Sequence, residues 1–295
     1  MATYVWVGTT SSAFGTATNW NPTSGPPTTA DTIIFNQDAT ADLAGSDQSA
    51  ITLAAMYIYQ GFTRSIGTTA TPLKIKSTIV QIGLQTDPAA NGTGPTRVVL
   101  DLSTAATTVT VFNTGTTTPD TGLENVRIKG VNTSNVINVI NGSVGIGTNA
   151  ATDVATFPTI NVSGGRCNIA GGVTWTSGTC VVSGGQVTIF SGGSSTALTL
   201  NGNANVTTFG DYLLATVTVN SGTLTCNHRA SSGSTITTLN TNGGTTDFSK
   251  NPQALTVGTH NESSGTTKMF SSSQVTTTTA VKTFGTFTTR TVSQS

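Results

Sequence analysis

The chain has 295 residues, 12 basic and 12 acidic side chains, and only 8 % charged residues, against roughly 25 % in an ordinary globular domain. Half of it is built from 64 Thr, 33 Gly, 28 Ser and 22 Asn. A net charge of zero argues against a nucleic-acid-binding surface, which needs clustered Lys and Arg; no apolar run of about 18 residues offers a membrane helix.

Disorder is the simplest reading of so polar a chain. It is disfavoured here, because disordered chains combine low hydrophobicity with high net charge and this one is 35 % hydrophobic and neutral. Thr is β-branched and favours strands. Strong helix formers are scarce: Glu occurs only at Glu124 and Glu262, and Lys six times. The expectation is an all-β chain.

Residues 4–35 carry a pattern: Tyr4-Val5-Trp6-Val7-Gly8, then Asn19-Trp20-Asn21-Pro22, Pro26-Pro27 and Asp31-Thr32-Ile33-Ile34-Phe35. It resembles the W-x-G…NW-x-P start of Thr/Gly/Asn-rich parallel β-helix virion proteins of tailed phages, capsid decoration-type proteins among them. The same start is also seen in autotransporter-like surface proteins. Physically, a solenoid's first coil exposes an apolar end and an open strand edge. Trp6, Trp20 and Phe35 can cover that end, and Pro22, Pro26 and Pro27 block further strand addition. The other reading of Trp6 and Trp20 is a platform for stacking sugars. No basic n-region or apolar h-region opens the chain, so no secretory signal is expected at its start.

Ile51–Tyr59 fits a helix or a strand. Residues 84–97 and 114–121 read as loops, either solvated or reaching a neighbour. From Ile160 onward an internal repeat sets the architecture. Apolar pairs recur at Ile160/Val162, Cys180/Val182, Leu198/Leu200, Val217/Val219, Thr237/Leu239 and Leu255/Val257, their second members 20, 18, 19, 20 and 18 residues apart. Val275 continues the series, and Ile140, followed by Asn141-Gly142-Ser143, precedes it. Small polar residues and Gly follow each pair, as corners require. Strands and corners at a period near 19, without helices, describe a single-stranded parallel β-helix with an N-terminal β cap. An antiparallel sandwich explains the short strands but not the phase. The expected organisation is a cap at 1–50, irregular coils at 51–135, regular coils at 136–275, and a cap or partner-binding arm at 276–295.

Candidate chemistry is thin. Glycoside hydrolysis needs paired carboxylates, and Asp153, Asp211, Asp247 and Glu262 fall at different phases of the coil. Asp247 and His228, with Arg229, make the best available acid–base cluster, but a surface ion pair or a solvated ladder is the reading preferred for it. No zinc or calcium spacing is present, His260 is expected exposed at a corner, and no catalytic residue, metal or cofactor is expected. Cys167, Cys180 and Cys226 read as buried free thiols or one disulfide plus a thiol, and free thiols fit assembly in a reducing cytoplasm. The six Asn-x-Ser/Thr sequons match chance for this composition.

The resemblance implies a non-enzymatic capsid decoration or cement protein on a phage head. It would be made in the host cytoplasm and bind the major capsid protein lattice or a second copy, with no nucleic acid or membrane partner. Aromatic and Arg residues anchor interfaces, which nominates Trp6, Trp20, Tyr57, Tyr59 and Arg64. The alternatives are a host-glycan-binding tail fibre or tailspike segment, a surface adhesin, and a polysaccharide-cleaving enzyme.

Overall fold

Alternate residues of a strand point to opposite faces, and in a computed structural model of the chain the apolar alternates stack in columns from coil to coil. The structure describes residues 1–85, 95–114, 124–130, 132–147, 155–156, 159–170, 173–174, 178–190, 193–209, 213–227, 234–250, 255–268 and 275–282. Among these the one helical element is a 3-10 turn at Ala17–Asn19. The fold is all-β, a parallel β-solenoid. It divides into two compact units, Met1–Gly147 and Thr148–Ser295.

In the first unit one ladder of parallel strands runs through Thr3–Trp6, Thr32–Phe35, Asp47–Tyr59, Leu73–Leu84, Thr108–Val111 and Val136–Val139. Its register aligns Trp6, Phe35, Ile58, Ile82, Val111 and Val139 in one column. Tyr4, Ile33, Met56, Val80, Val109 and Ile137 form the next. All are buried, each worth about 1.5–3 kcal/mol of transfer free energy. A second ladder, through Ser65–Ile66, Arg97–Asp101, Val126–Gly130 and Ser143–Ile146, closes the coil with buried Ile66, Val98, Val126 and Val144. The ambiguous Ile51–Tyr59 stretch belongs to a 13-residue strand. Ile140 is 43 % exposed; the inward pair of its coil is Ile137/Val139.

The second unit repeats this plan. Ile160, Cys180, Leu198, Val217, Leu239, His260 and Ala280 are register partners in turn. The steps between them are 20, 18, 19, 22, 21 and 20 residues. The first four expected pairs therefore stand, and the last two are shifted. Val217/Val219 faces Leu239/Thr241, not Thr237/Leu239, and Thr237 is exposed. Leu255/Val257 is buried but pairs with Ser234/Ile236. The strands Ser234–Thr241 and Leu255–Glu262 each carry two inward pairs separated by a two-residue irregular step. The spacing selected the upstream pair in Leu255–Glu262, and in Ser234–Thr241 it took Leu239 as the second member of a pair of which it is the first.

The corner after each strand is fixed by glycine. Gly185 has φ +77° and Gly244 φ +69°, a region where side chains with a Cβ are strained. A Cβ on Gly185 would stand 2.5 Å from the Gly165 carbonyl oxygen, and one on Gly244 2.5 Å from that of Gly222. Backbone angle and coil spacing thus demand glycine independently. Beside these glycines runs an amide ladder. Asn220 Nδ2 donates to Asn201 Oδ1 at 2.9 Å, Asn242 Nδ2 to Asn220 Oδ1 at 2.9 Å, and Ser263 Oγ to Asn242 Oδ1 at 3.3 Å.

Two substitutions test this packing in opposite directions. Gly185→Ala is expected to lower the urea unfolding midpoint, costing at least about 1–2 kcal/mol from the backbone angle alone. Thr208 stands fully buried between Ile189 and Cys226 with its hydroxyl unpaired. Thr208→Val is expected to raise the midpoint, by about 1 kcal/mol, because it removes an unsatisfied buried group at constant shape.

Candidate functional site

The N-terminal pattern folds into a closed aromatic cap. Trp20 lies edge-on to Trp6 with ring centroids 5.1 Å apart, to Phe14 at 5.0 Å and to Phe35 at 6.1 Å; Phe35 meets Phe62 at 5.4 Å. Edge-to-face pairs add to the area term. Each indole N–H finds a carbonyl: Trp20 Nε1 donates to Phe14 O at 2.7 Å and Trp6 Nε1 to Ala41 O at 3.0 Å. Asn19 is buried and saturated. Its Oδ1 accepts the N–H groups of Thr10 and Ser11, each at 3.0 Å, and its Nδ2 donates to Ser11 Oγ and Ala13 O, each at 2.9 Å. The two-residue strand Trp20–Asn21 pairs antiparallel with the outer edge of Thr3–Trp6, and Pro22 follows at once. Asp31 completes the motif. Ala2 N–H reaches its Oδ1 at 2.6 Å, and Thr28 N–H and Oγ1 reach Oδ2 at 2.9 and 2.8 Å. Burial pushes its carboxyl up, but these donors outweigh burial and hold it below the usual carboxylate range.

This geometry corrects the expected contact set. Trp6 and Trp20 are 0 % exposed, so neither ring can meet a partner or stack on a sugar. Tyr57 and Tyr59 stand half-buried on the outer face of their strand, stacked at 6.5 Å and 19°. Burial, then the neighbouring Tyr57, pushes the Tyr59 phenol above its ordinary value. Arg64 is exposed on the following turn. A second outward aromatic pair was missed. Phe190 and Phe209 stack at 5.4 Å and 18°, with Phe190 42 % exposed. Their separation of one coil length was the signal that could have found them.

Three of the described aspartates serve the backbone in the same way. Asp47, Asp101 and Asp247 each accept the N–H two residues ahead, from Ser49 at 2.9 Å, Ser103 at 2.9 Å and Ser249 at 2.8 Å. These are Asx turns at strand ends. Asp47 also meets Lys74 Nζ at 3.2 Å. Glu124 pairs with Arg127, largely buried. His260 corrects the expectation of an exposed corner. It lies within a strand, 8 % exposed and inward, with Nε2 3.3 Å from Thr241 Oγ1 and 3.9 Å from Glu262 Oε2. Asp153, Asp211, His228 and Arg229 lie outside the described residues, as do 86–94, 115–123 and 283–295. Among the described residues no three His, Cys, Asp or Glu gather as a metal-binding group. Cys167, Cys180 and Cys226 are buried and none is in a disulfide, and burial pushes the Cys180 thiol up to about 12.

Comparison with known protein families, curated proteins and solved structures found no match.

The Ser49 hydroxyl and N–H, opposed by desolvation and helped by Lys74, lower the Asp47 carboxyl to about 2. The folded value lies below the unfolded one, so its contribution to stability is present at neutral pH. That contribution is lost as pH falls from about 4 toward the folded value. In Ser49→Ala the carboxyl titration followed by NMR is expected to move up toward the ordinary Asp value. An unchanged midpoint would show that Lys74 sets it instead.

Proposed function

We propose that this chain is a non-enzymatic structural protein of a tailed-phage virion, a decoration or cement protein on the outside of the head. The observation that carries the reading is the use made of the N-terminal motif. Its two tryptophans, Asn19 and Asp31 are consumed in closing the first coil, so the pattern shared with such proteins supplies rigidity. The outer columns, such as Thr188, Thr207 and Thr225, or Thr199, Thr218 and Asn240, offer hydroxyl and amide groups without charge, which suits a passive exterior. The partners are the capsid lattice and a second copy of the chain. Contact falls to Tyr57, Tyr59 and Arg64.

A second reading, a host-glycan-binding tail segment, is favoured by one observation, the outward stack of Phe190 on Phe209. An exposed apolar ring face is a surface on which a sugar ring can stack.

Antibody raised against the recombinant chain and applied to intact particles from its source separates the two. Labelling distributed over heads is expected. Arg64→Glu is then expected to weaken binding to stripped heads by about tenfold, the effect of one interface anchor, at an unchanged unfolding midpoint. Labelling confined to tail tips, with glycan-array binding lost in Phe190→Ala, would establish the second reading. No labelling of any particle would sink both.

A further inference from the structure

Four Asn–Gly steps occur in the chain, at Asn91, Asn141, Asn201 and Asn242; the first lies outside the described residues. Such a step is chemically labile. The glycine amide nitrogen, unshielded by a side chain, attacks the Asn Cγ, closing a five-membered succinimide and expelling ammonia. Water then opens the ring to aspartate or isoaspartate, so that Asn and water become acid and ammonia, with no oxidant or catalyst required. Two features slow the attack: hydrogen bonds that hold the carboxamide, and a hydrogen bond that holds the attacking N–H.

The three described steps differ in both. Asn242 donates to Asn220 Oδ1 at 2.9 Å and accepts from Ser263 at 3.3 Å. The Gly243 N–H is itself held by Val219 O at 3.1 Å. Asn201 is held by one rung, from Asn220 at 2.9 Å. Asn141 is exposed, and its carboxamide makes no hydrogen bond to another described residue. The Gly142 that follows it has φ +94° and leaves no room for a Cβ, which would meet Thr114 Oγ1 at 2.4 Å. Glycine is thus required at Gly142, and the labile step cannot be lost by an ordinary substitution there.

We propose that Asn141 is a site of spontaneous deamidation in the folded protein, and that the amide ladder through Asn201, Asn220 and Asn242 guards the other two steps. Because 12 basic and 12 acidic side chains balance, one conversion turns a neutral chain into a singly negative one. It places that charge on an exposed corner of the first unit. The chain therefore carries a clock of its own age, legible as a charge variant.

The test incubates the full chain at mildly alkaline pH. Conversion is followed by peptide mass mapping, isoaspartate labelling and isoelectric focusing. Asn141 is expected to convert at least about fivefold faster than Asn242, the factor one net hydrogen bond holds back, with Asn201 between them. Asn220→Ala removes two rungs. It is expected to speed Asn201 and Asn242 by about fivefold while Asn141 keeps its rate. In denaturant the described three should converge. Faster loss at Asn242 than at Asn141, or no conversion at Asn141 in the folded chain while it converts in denaturant, would overturn the proposal. If Asn220→Ala does not fold, the ordering within the native chain decides the matter alone.

Discussion

Everything in this molecule depends on the alignment of inward side chains from one coil to the next. A single coil of some twenty residues cannot bury its own apolar face; the neighbour above and below must do it. The columns Trp6–Phe35–Ile58–Ile82–Val111–Val139 and Ile160–Cys180–Leu198–Val217–Leu239 meet that need in their respective units. Parallel strands sit about 4.8 Å apart, and at that spacing the corners admit only glycine where the carbonyl of the preceding coil comes closest, as at Gly185 and Gly244. Side-chain columns and backbone corners therefore enforce one another.

Within each unit the column composition changes along the stack. At the start the columns are aromatic, because the end of a stack lacks a neighbour and needs large rings to cover it; Phe14 and Trp20 supply the cover, and the short Trp20–Asn21 strand occupies the edge. Toward the last coils of the second unit the columns turn polar. Val219 gives way to Thr241 and then Glu262, Leu239 to His260, and Leu224 to Thr246 and then Thr267. Thr241, Thr246 and His260 offset part of the cost of burial by bonding one another. In these coils the core trades apolar burial for hydrogen bonds between its own polar members.

Much of this was legible in the sequence, for reasons that also mark where legibility stops. The period was readable because Ile160/Val162 through Val217/Val219 each precede a Ser or Asn and then a corner. It slipped at Thr237/Leu239 because Leu239 lies 20 residues after Val219, near the period, while the coil there is 22 residues long and Leu239 is the partner of Val217. The amide ladder marks the shift: Asn242, not Asn240, continues Asn201 and Asn220. The motif tryptophans were recognisable as a cap, but the same aromatic character drew them into a list of contact residues that their burial forbids. His260 was misplaced because one His among Thr and Asn resembles a turn residue, and only the register shows that it succeeds Leu239. The outer face is the least legible part, since Thr, Ser and Asn there satisfy solvent in many arrangements and no packing constraint selects among them.

The register is the claim on which the rest stands, and paired cysteines test it most directly. Thr218 faces Asn240 across adjacent coils, whereas the unshifted repeat would face it with Thr238. A disulfide needs Cα atoms within about 7 Å, and a two-residue offset places them about 8 Å apart. Oxidation of the folded double variant Thr218→Cys/Asn240→Cys should give an intramolecular bridge in high yield, and Thr218→Cys/Thr238→Cys should give none. The reverse pattern, or bridges in neither, would contradict the coil alignment from which the core, the corners and the amide ladder all follow.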